Sequence, residues 1–387
     1  MTGSVLFRLG SVYVTVYGIF CALSLAAMVM LAHFLSKSAI PEKKLLSFFI
    51  FALPAARIVS RAVYCAFSPE LYSNRPLAFL LFTEGGGVLT AALIGFVLAA
   101  LAYSHVHDLS AGVLLDASAP GLLILSSALR LSETTPGETL GQIATSRLFR
   151  SAVFTATDAI GNARYAISRW EGILSLAVLA YCGWQIFDSR KWKNISMPGD
   201  IFSGCAALYC AVQIPLEALR DGAYPHIDRM PIGLVLASLS LAALLAASAH
   251  KLLKTDISKR FILFRLIPGS LALILTLRPG QFDAAPDPFA RFVSWFLPAV
   301  AAYALFSLRA ALRRRARAAN KAIQESSTGK PLAGETAVSV KKPDAAPVSL
   351  SDDENTLAAY IARNAKAASP DDSDSAKIET PLGLDEP

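Results

Sequence analysis

Nine apolar stretches, most of them near twenty residues long, decide what this chain can become. They fall at roughly 12–34, 45–67, 77–103, 109–130, 170–188, 199–219, 231–250, 261–277 and 292–309. About 20 apolar residues in a helix cross the hydrocarbon core of a bilayer. Inside lipid each backbone N–H and C=O must be satisfied within the span, which leaves helices as the economical solution. The composition agrees: of 387 residues, 54% are hydrophobic and 17% charged, against roughly 25% charged in soluble domains. The expected fold is an all-α polytopic membrane protein. Cys21, Cys65, Cys182, Cys205 and Cys210 all lie in apolar runs, so they read as small hydrophobes rather than a disulfide framework. The first run is long and lacks a small-residue cleavage site, so a cleavable leader is not expected.

The net charge of +7 is spread over segment ends and does not suggest a nucleic-acid partner. Lys37, Lys43 and Lys44 follow the first span. Arg190, Lys191 and Lys193 follow the fifth, Lys251, Lys254, Lys259 and Arg260 the seventh, and Arg309, Arg313, Arg314, Arg315 and Arg317 the ninth. The positive-inside rule then puts the N-terminus outside and the C-terminus in the cytoplasm. The segment 131–169 is external on this topology yet carries Arg147, Arg150, Arg164 and Arg169. A basic arm beside the membrane suits lipid phosphate; charge ordinary for a long external loop is the plainer reading. From about residue 318 the chain turns to Ser, Ala, Pro, Asp and Lys, and 318–387 is expected to be a disordered cytoplasmic tail, with a short transient helix at 353–368.

Ionisable residues at membrane depth usually mark function. Here they are Arg57, Arg61, Glu84, Asp116, Arg130, Glu171, Glu217, Arg220 and Arg265. Asp116 and Arg130 share one span but stand about 21 Å apart along a helix, so each needs another partner. Glu217 and Arg220, three residues apart, can pair locally. Arg265 is expected to snorkel toward the cytoplasm, and Pro268–Gly269 to kink the eighth span. Glu84 precedes Gly85, Gly86 and Gly87 within the third run. Small residues there allow close approach of helices.

These residues also carry a resemblance. The segment 116-DASAPGLLILSSALRLSETTPGETLGQ-142 resembles the signature of prolipoprotein diacylglyceryl transferases at Asp116, Pro120, Arg130, Gly137, Glu138 and Gly141. Glu84, Gly85, Gly86 and Gly95 resemble that family's acid–glycine box, and Tyr17–Gly18 its first-helix pair. Arg57 resembles its second-helix arginine. Arg164 with Glu171, and Glu217 with Arg220, fall on two later boxes in family order. The resemblance runs from about residue 12 to 250. It implies a seven-helix core over 1–256 with an external arm at 131–169, leaving two added transmembrane helices over 257–317 and the tail.

The resemblance further implies a reaction. A lipobox cysteine thiol of a preprolipoprotein attacks the diacylglyceryl group of phosphatidylglycerol, and glycerol phosphate leaves. It implies phosphatidylglycerol or another anionic phospholipid and preprolipoprotein signal peptides as partners, no cofactor or metal, and the bacterial inner membrane as location. Arg130, Asp116 and Glu138 would carry catalysis. Tyr17, Arg57, Glu84, Gly85, Gly86, Glu171, Glu217 and Arg220 would line the substrate site. Thr90 stands where the pattern has a histidine, Gln213 where it has an arginine, and Glu133 where it has an asparagine. Tyr165, Trp170, Leu129, Ala91 and Ala92 are further departures. A thiol needs a base or a field that favours thiolate, so these changes leave a second reading: a scaffold that binds phospholipid or lipoprotein without transfer. His105 and His107 are expected in a cytoplasmic loop, on the wrong side for the thiol. A transporter is disfavoured by the lack of an inverted repeat.

Overall fold

The computed structural model describes residues 5–9, 12–36, 39–72, 77, 80, 86–133, 140–144, 154–158, 160–191, 198–220, 225–227, 230–254, 258–277 and 288–327. Its helices are α1 (Val16–Ser36), α2 (Glu42–Ala66), the single turn α3 (Pro69–Tyr72), α4 (Leu89–His107), α5 (Ala111–Ser132), α6 (Ile167–Lys191), α7 (Asp200–Ala218), α8 (Ile232–Leu253), α9 (Lys259–Thr276) and α10 (Pro288–Ser327). Eight of these are long and apolar enough to cross a membrane. The exception among the long helices is α9, where Lys259, Arg260 and Arg265 interrupt the apolar run. The chain is a multi-pass membrane protein.

Among the described residues, short strands lie before α1 and between later helices. β1 (Val5–Leu9) pairs antiparallel with β2 (Val12–Thr15). β3 (Leu140–Ile143), β4 (Thr155–Thr157) and β5 (Ala163–Ala166) make an antiparallel sheet of order β3-β5-β4. β6 (His226–Ile227) and β7 (Met230–Pro231) form a small hairpin. These modify the all-α expectation only outside the spans, where water can satisfy an open sheet edge.

Two boundaries differ from the sequence reading. The third span was expected from residue 77, but α4 begins at Leu89 and Gly86 to Val88 are not helical. Gly86 has φ 71°, a left-handed conformation that glycine adopts without cost. A Cβ there would stand 2.7 Å from Arg61 Nη1 and from the Tyr64 ring. The Gly86 carbonyl accepts from Arg57 Nη1 at 3.3 Å and Arg61 Nη1 at 3.4 Å. Ser60 exchanges two bonds with Val88, hydroxyl to carbonyl at 3.0 Å and N–H to carbonyl at 3.4 Å. Gly86 therefore lets a bent peptide meet two guanidinium groups, and neither Gly86 nor Gly87 sits mid-helix. The second difference is α10, which runs through residue 318 to Ser327; the rest of the tail, including 353–368, lies outside the described residues.

Apolar packing is divided. Met28, Phe48, Phe96 and Leu114 centre a cluster of α1, α2, α4 and α5. Ala207, Leu241, Leu273 and Leu305 centre one of α7 to α10. Leu123, Val178, Cys182 and Cys205 join α5, α6 and α7. Lipid gives helices little hydrophobic reason to associate, so close contact and interhelical hydrogen bonds do more. At Gly121 the α5 backbone lies against Met28 of α1 so closely that no Cβ fits. Ser127 of α5 donates to the Gly172 carbonyl of α6 at 3.0 Å. Pro268 lies inside an unbroken α9, and Gly269 packs against Leu245 and Ala304.

Candidate active site

The last turn of α5 carries Arg130, Glu171 stands just past the first turn of α6, and the last turns of α7 carry Gln213 and Glu217. Arg220 follows just past the α7 end. The end of α5, the start of α6 and the end of α7 meet, so all five lie at one end of the bundle. Glu171 is their hub, with 1% of its surface exposed. Its Oε2 takes Arg130 Nε at 2.8 Å and Arg220 Nη2 at 3.3 Å. Its Oε1 accepts from Gln213 Nε2 at 2.7 Å and from the Tyr209 hydroxyl at 3.1 Å. Arg220 Nη2 also meets Glu217 Oε1 at 3.1 Å, the local pair expected from their spacing. Arg130 Nη1 reaches Glu133 Oε1 at 3.0 Å. Gly233 of α8 leaves room for the Glu217 carboxylate, which a Cβ would overlap.

The cluster thus contains two arginines and three carboxylates. With all ionised it is one negative charge in excess, which opposes a phosphate. Glu133 is the most exposed of the three acids and lies past the helix end. It is the counter-ion that an incoming anion displaces most easily.

Backbone from the arm closes this end. Gly141 bridges to Arg220, and Gln142 N–H donates to the Leu219 carbonyl at 3.0 Å. Arg164 is tied to Asp158 at 2.8 Å and approaches the Gly141 carbonyl at 3.5 Å. The hydrogen bond from Arg164 holds the Asp158 carboxyl down at about 2, against an ordinary 3.8. Trp170 Nε1 donates to the Phe154 carbonyl at 3.1 Å, and the two rings stack at 4.5 Å.

Below the charge cluster lies an apolar cavity of about 580 Å³ between α4, α5, α7 and α8. Thr90, Ser126 and Tyr209 are among its few polar lining groups, and the Ser126 and Tyr209 hydroxyls stand 3.3 Å apart. Tyr209 consequently faces the cavity and the Glu171 carboxylate at once. Leu98, Leu101 and Leu239 line the cavity and are half or more exposed, so it opens sideways between α4 and α8. Ser126 and Tyr209 are the polar lining groups that connect the cavity to Glu171.

A family profile described as prolipoprotein diacylglyceryl transferase matches residues 4–250. The chain belongs to the prolipoprotein diacylglyceryl transferase family. Relatives named phosphatidylglycerol–prolipoprotein diacylglyceryl transferase include one from Shouchella clausii, 30% identical over 118 residues, which are 30% of this chain and 43% of the relative. One from Limosilactobacillus reuteri is 28% identical over 130 residues, 33% and 47% of the two chains. One from Bacillus licheniformis is 24% identical over 258 residues, 66% of this chain and 94% of the relative. The chain thus spans under half the length of the first two relatives. The family match ends within α8, and α9 and α10 lie beyond it.

The remaining sequence candidates divide. Tyr17 of α1 lies within electrostatic reach of Glu133, Arg130 and Arg57, which ties it to this end. Arg57 and Gly86 meet each other beside it. Thr90 is buried on the cavity wall. Asp116 is elsewhere. Its oxygens accept from the N–H groups of Gly199 and Phe202, both at 2.7 Å, so it caps the opposite end of α7. Glu84, Gly85 and Glu138, with Arg147 and Arg150, lie outside the described residues. His105 and His107 belong to the last turn of α4 rather than to a loop, at the end away from Arg130. The His107 ring lies 4.2 Å from that of Tyr103, tilted 41°, and its carbonyl accepts from Lys44 at 3.3 Å.

Two residues escaped the sequence reading. Tyr209 sits one turn before Gln213 on a helix that is apolar around it, and only its α7 register puts it toward Glu171. His226 is the one histidine of five at the Arg130 end; His33, His105, His107 and His250 close helices at the other. Its hairpin packs Ile227 against Val88 and Ala91, beside Thr90. The signal for it was its place between Glu217 and the eighth helix.

Proposed function

We propose that this protein transfers a diacylglyceryl group from phosphatidylglycerol to a lipobox cysteine thiol, with the Arg130 end outside and the C-terminus cytoplasmic, α9 crossing as a ninth span despite its three cations. The single observation that carries this is Arg130, buried beneath the arm, held by Glu171 and Glu133, and connected through Tyr209 to a laterally open apolar cavity. The cavity takes acyl chains and the guanidinium takes the phosphate, displacing Glu133. A planar guanidinium matches phosphate oxygens bidentately and stabilises charge on the leaving group. The sulfur forms a C–S bond at the glycerol carbon, the C–O bond to phosphate breaks, and glycerol phosphate carries off the electron pair. The thiol proton goes to a base at this end, where Glu133 and His226 stand. Asp116 acts at a distance, by fixing the α7 helix that carries Tyr209, Gln213 and Glu217.

A second reading keeps the phospholipid and drops the transfer. It is favoured by Thr90, whose hydroxyl cannot take a proton near neutral pH, and by Gln213, which brings no charge to Glu171. The deciding experiment supplies purified protein with phosphatidylglycerol and a lipobox peptide. A thioether product that Arg130→Ala abolishes supports transfer. Phospholipid binding without product, under conditions where a Bacillus relative turns over, supports the scaffold reading.

A further inference from the structure

At the end of the bundle opposite Arg130, Arg265 of α9 and Arg309 and Arg313 of α10 have unlike surroundings. Arg309 and Arg313 converge on Asp200 of α7, at 2.6 and 2.8 Å. Arg265 has no acid. Among the described residues it is met by three aromatic rings, Phe261 at 5.9 Å, Phe264 at 5.7 Å and Tyr303 at 5.2 Å. Its Nε is buried with no hydrogen-bond partner. The surface around it is apolar and outward: Phe264 is 73% exposed, Ile267 60% and Tyr303 62%.

We propose that Arg265, framed by Phe261, Phe264 and Tyr303, binds the phosphate of an anionic phospholipid in the leaflet opposite the Arg130 end. Three arguments converge. Arg265 is two turns into α9, about 9 Å along the helix from Lys259. That is the boundary between headgroup and hydrocarbon once the side chain extends. A cation facing lipid without a carboxylate is costly unless an anion meets it. Ring faces attract the guanidinium but leave its in-plane N–H groups without acceptors. At this depth lipid phosphate oxygens are the acceptors at hand, and guanidinium engages them bidentately. Finally, Lys259 and Arg260 are exposed at the same end, so the local field favours net negative headgroups over zwitterionic ones. The flanking exposed rings and Ile267 fit acyl chains, which a soluble phosphate lacks.

This site stands apart from the proposed reaction. It lies on helices beyond the family match, and it holds whether or not the Arg130 end transfers anything. Native mass spectrometry of the full chain in detergent tests it, titrating phosphatidylglycerol, phosphatidylcholine and glycerol phosphate separately. Wild type is expected to retain phosphatidylglycerol at one tight site more than Arg265→Gln, whose affinity there falls tenfold or more. Arg265→Lys is expected to keep the preference for phosphatidylglycerol over phosphatidylcholine. Arg130→Gln removes a different equivalent, so failure of the reaction proposal is seen separately. Equal retention by wild type and Arg265→Gln overturns the site. So does equal retention of the two lipids, or saturation by glycerol phosphate alone. Should Arg265→Gln not accumulate, loss of the headgroup preference in Arg265→Lys overturns it instead.

Discussion

Gln213 donates to Glu171 at 2.7 Å, where the family pattern has an arginine. Glu171 already takes Arg130 and Arg220 on its other oxygen, so the neutral amide completes a carboxylate that two cations have balanced. The consequence is a rigid hub. Removing one member of a buried ion-pair network costs about 3–5 kcal/mol, because the others are left buried and unpaired. Glu171→Ala is expected to fall in that range, measured by thermal unfolding in detergent. A change below about 1 kcal/mol would mean the pairs behave as surface pairs.

Glu133 is the movable acid. Glu133→Asn restores the family residue and removes one negative charge next to Arg130. Phosphatidylglycerol is expected to bind roughly tenfold tighter, equivalent to about 1.4 kcal/mol. Isothermal titration in detergent would read it. Unchanged or weaker binding would show that Arg130 does not meet the headgroup.

Thr90 and Gln213 bear on turnover. Thr90→His returns an imidazole to the cavity wall. A positioned base contributes about 10²–10⁴-fold, so transfer to a lipobox peptide is expected to rise by at least the lower figure if Thr90 limits the rate. A double variant with Gln213→Arg adds the second cation. No gain in either would favour His226 as the acceptor, and His226→Gln should then abolish turnover.

Asp116 and Asp200 fix the foot of α7. Loss of an N-cap carboxylate costs about 0.5–2 kcal/mol, which is the expectation for Asp116→Ala by thermal unfolding. Asp200→Asn leaves Arg309 and Arg313 without their shared acid and is expected to loosen α10. Faster hydrogen exchange across 300–315 would report that.

The arm has a pH signature. Asp158 is held at about 2 in the folded chain and titrates near 3.8 when the arm is open. Its contribution is therefore complete above pH 4 and disappears as pH falls through about 2. Arm amides near Gly161 and Asn162 should exchange faster across that window in wild type. In Asp158→Asn they should be fast at every pH.

Much of this was legible from sequence because membrane spans are long and uniform. The pairing of Glu217 with Arg220 followed from a spacing of three. The sequence also showed that Arg130 needed a partner from another segment, but that Glu171 meets both Arg130 and Arg220 was not legible, since the arm of 133–166 separates α5 from α6. What was hidden depended on register or backbone. Tyr209 is an ordinary membrane aromatic until helix rotation aims its hydroxyl. The break before Leu89 looks apolar in sequence, since the bend is made by glycines and held by arginines on another helix. Asp116 was read as about 21 Å from Arg130 and in need of another partner, and that partner was hidden for a related reason. Its partners are backbone N–H groups of α7, which carry no mark in a string of letters.

The link between Arg130 and Glu171 also has a meaning for biosynthesis. The first helix of this pair to leave the ribosome is α5, with its guanidinium at the trailing end. The carboxylate follows at the leading end of α6, after the arm has folded the chain back. Each charge is brought to the bilayer beside its counterpart, so the two helices can partition into lipid as a hairpin with their charge neutralised. Tyr209, Gln213 and Arg220 are translated later and find a carboxylate already housed.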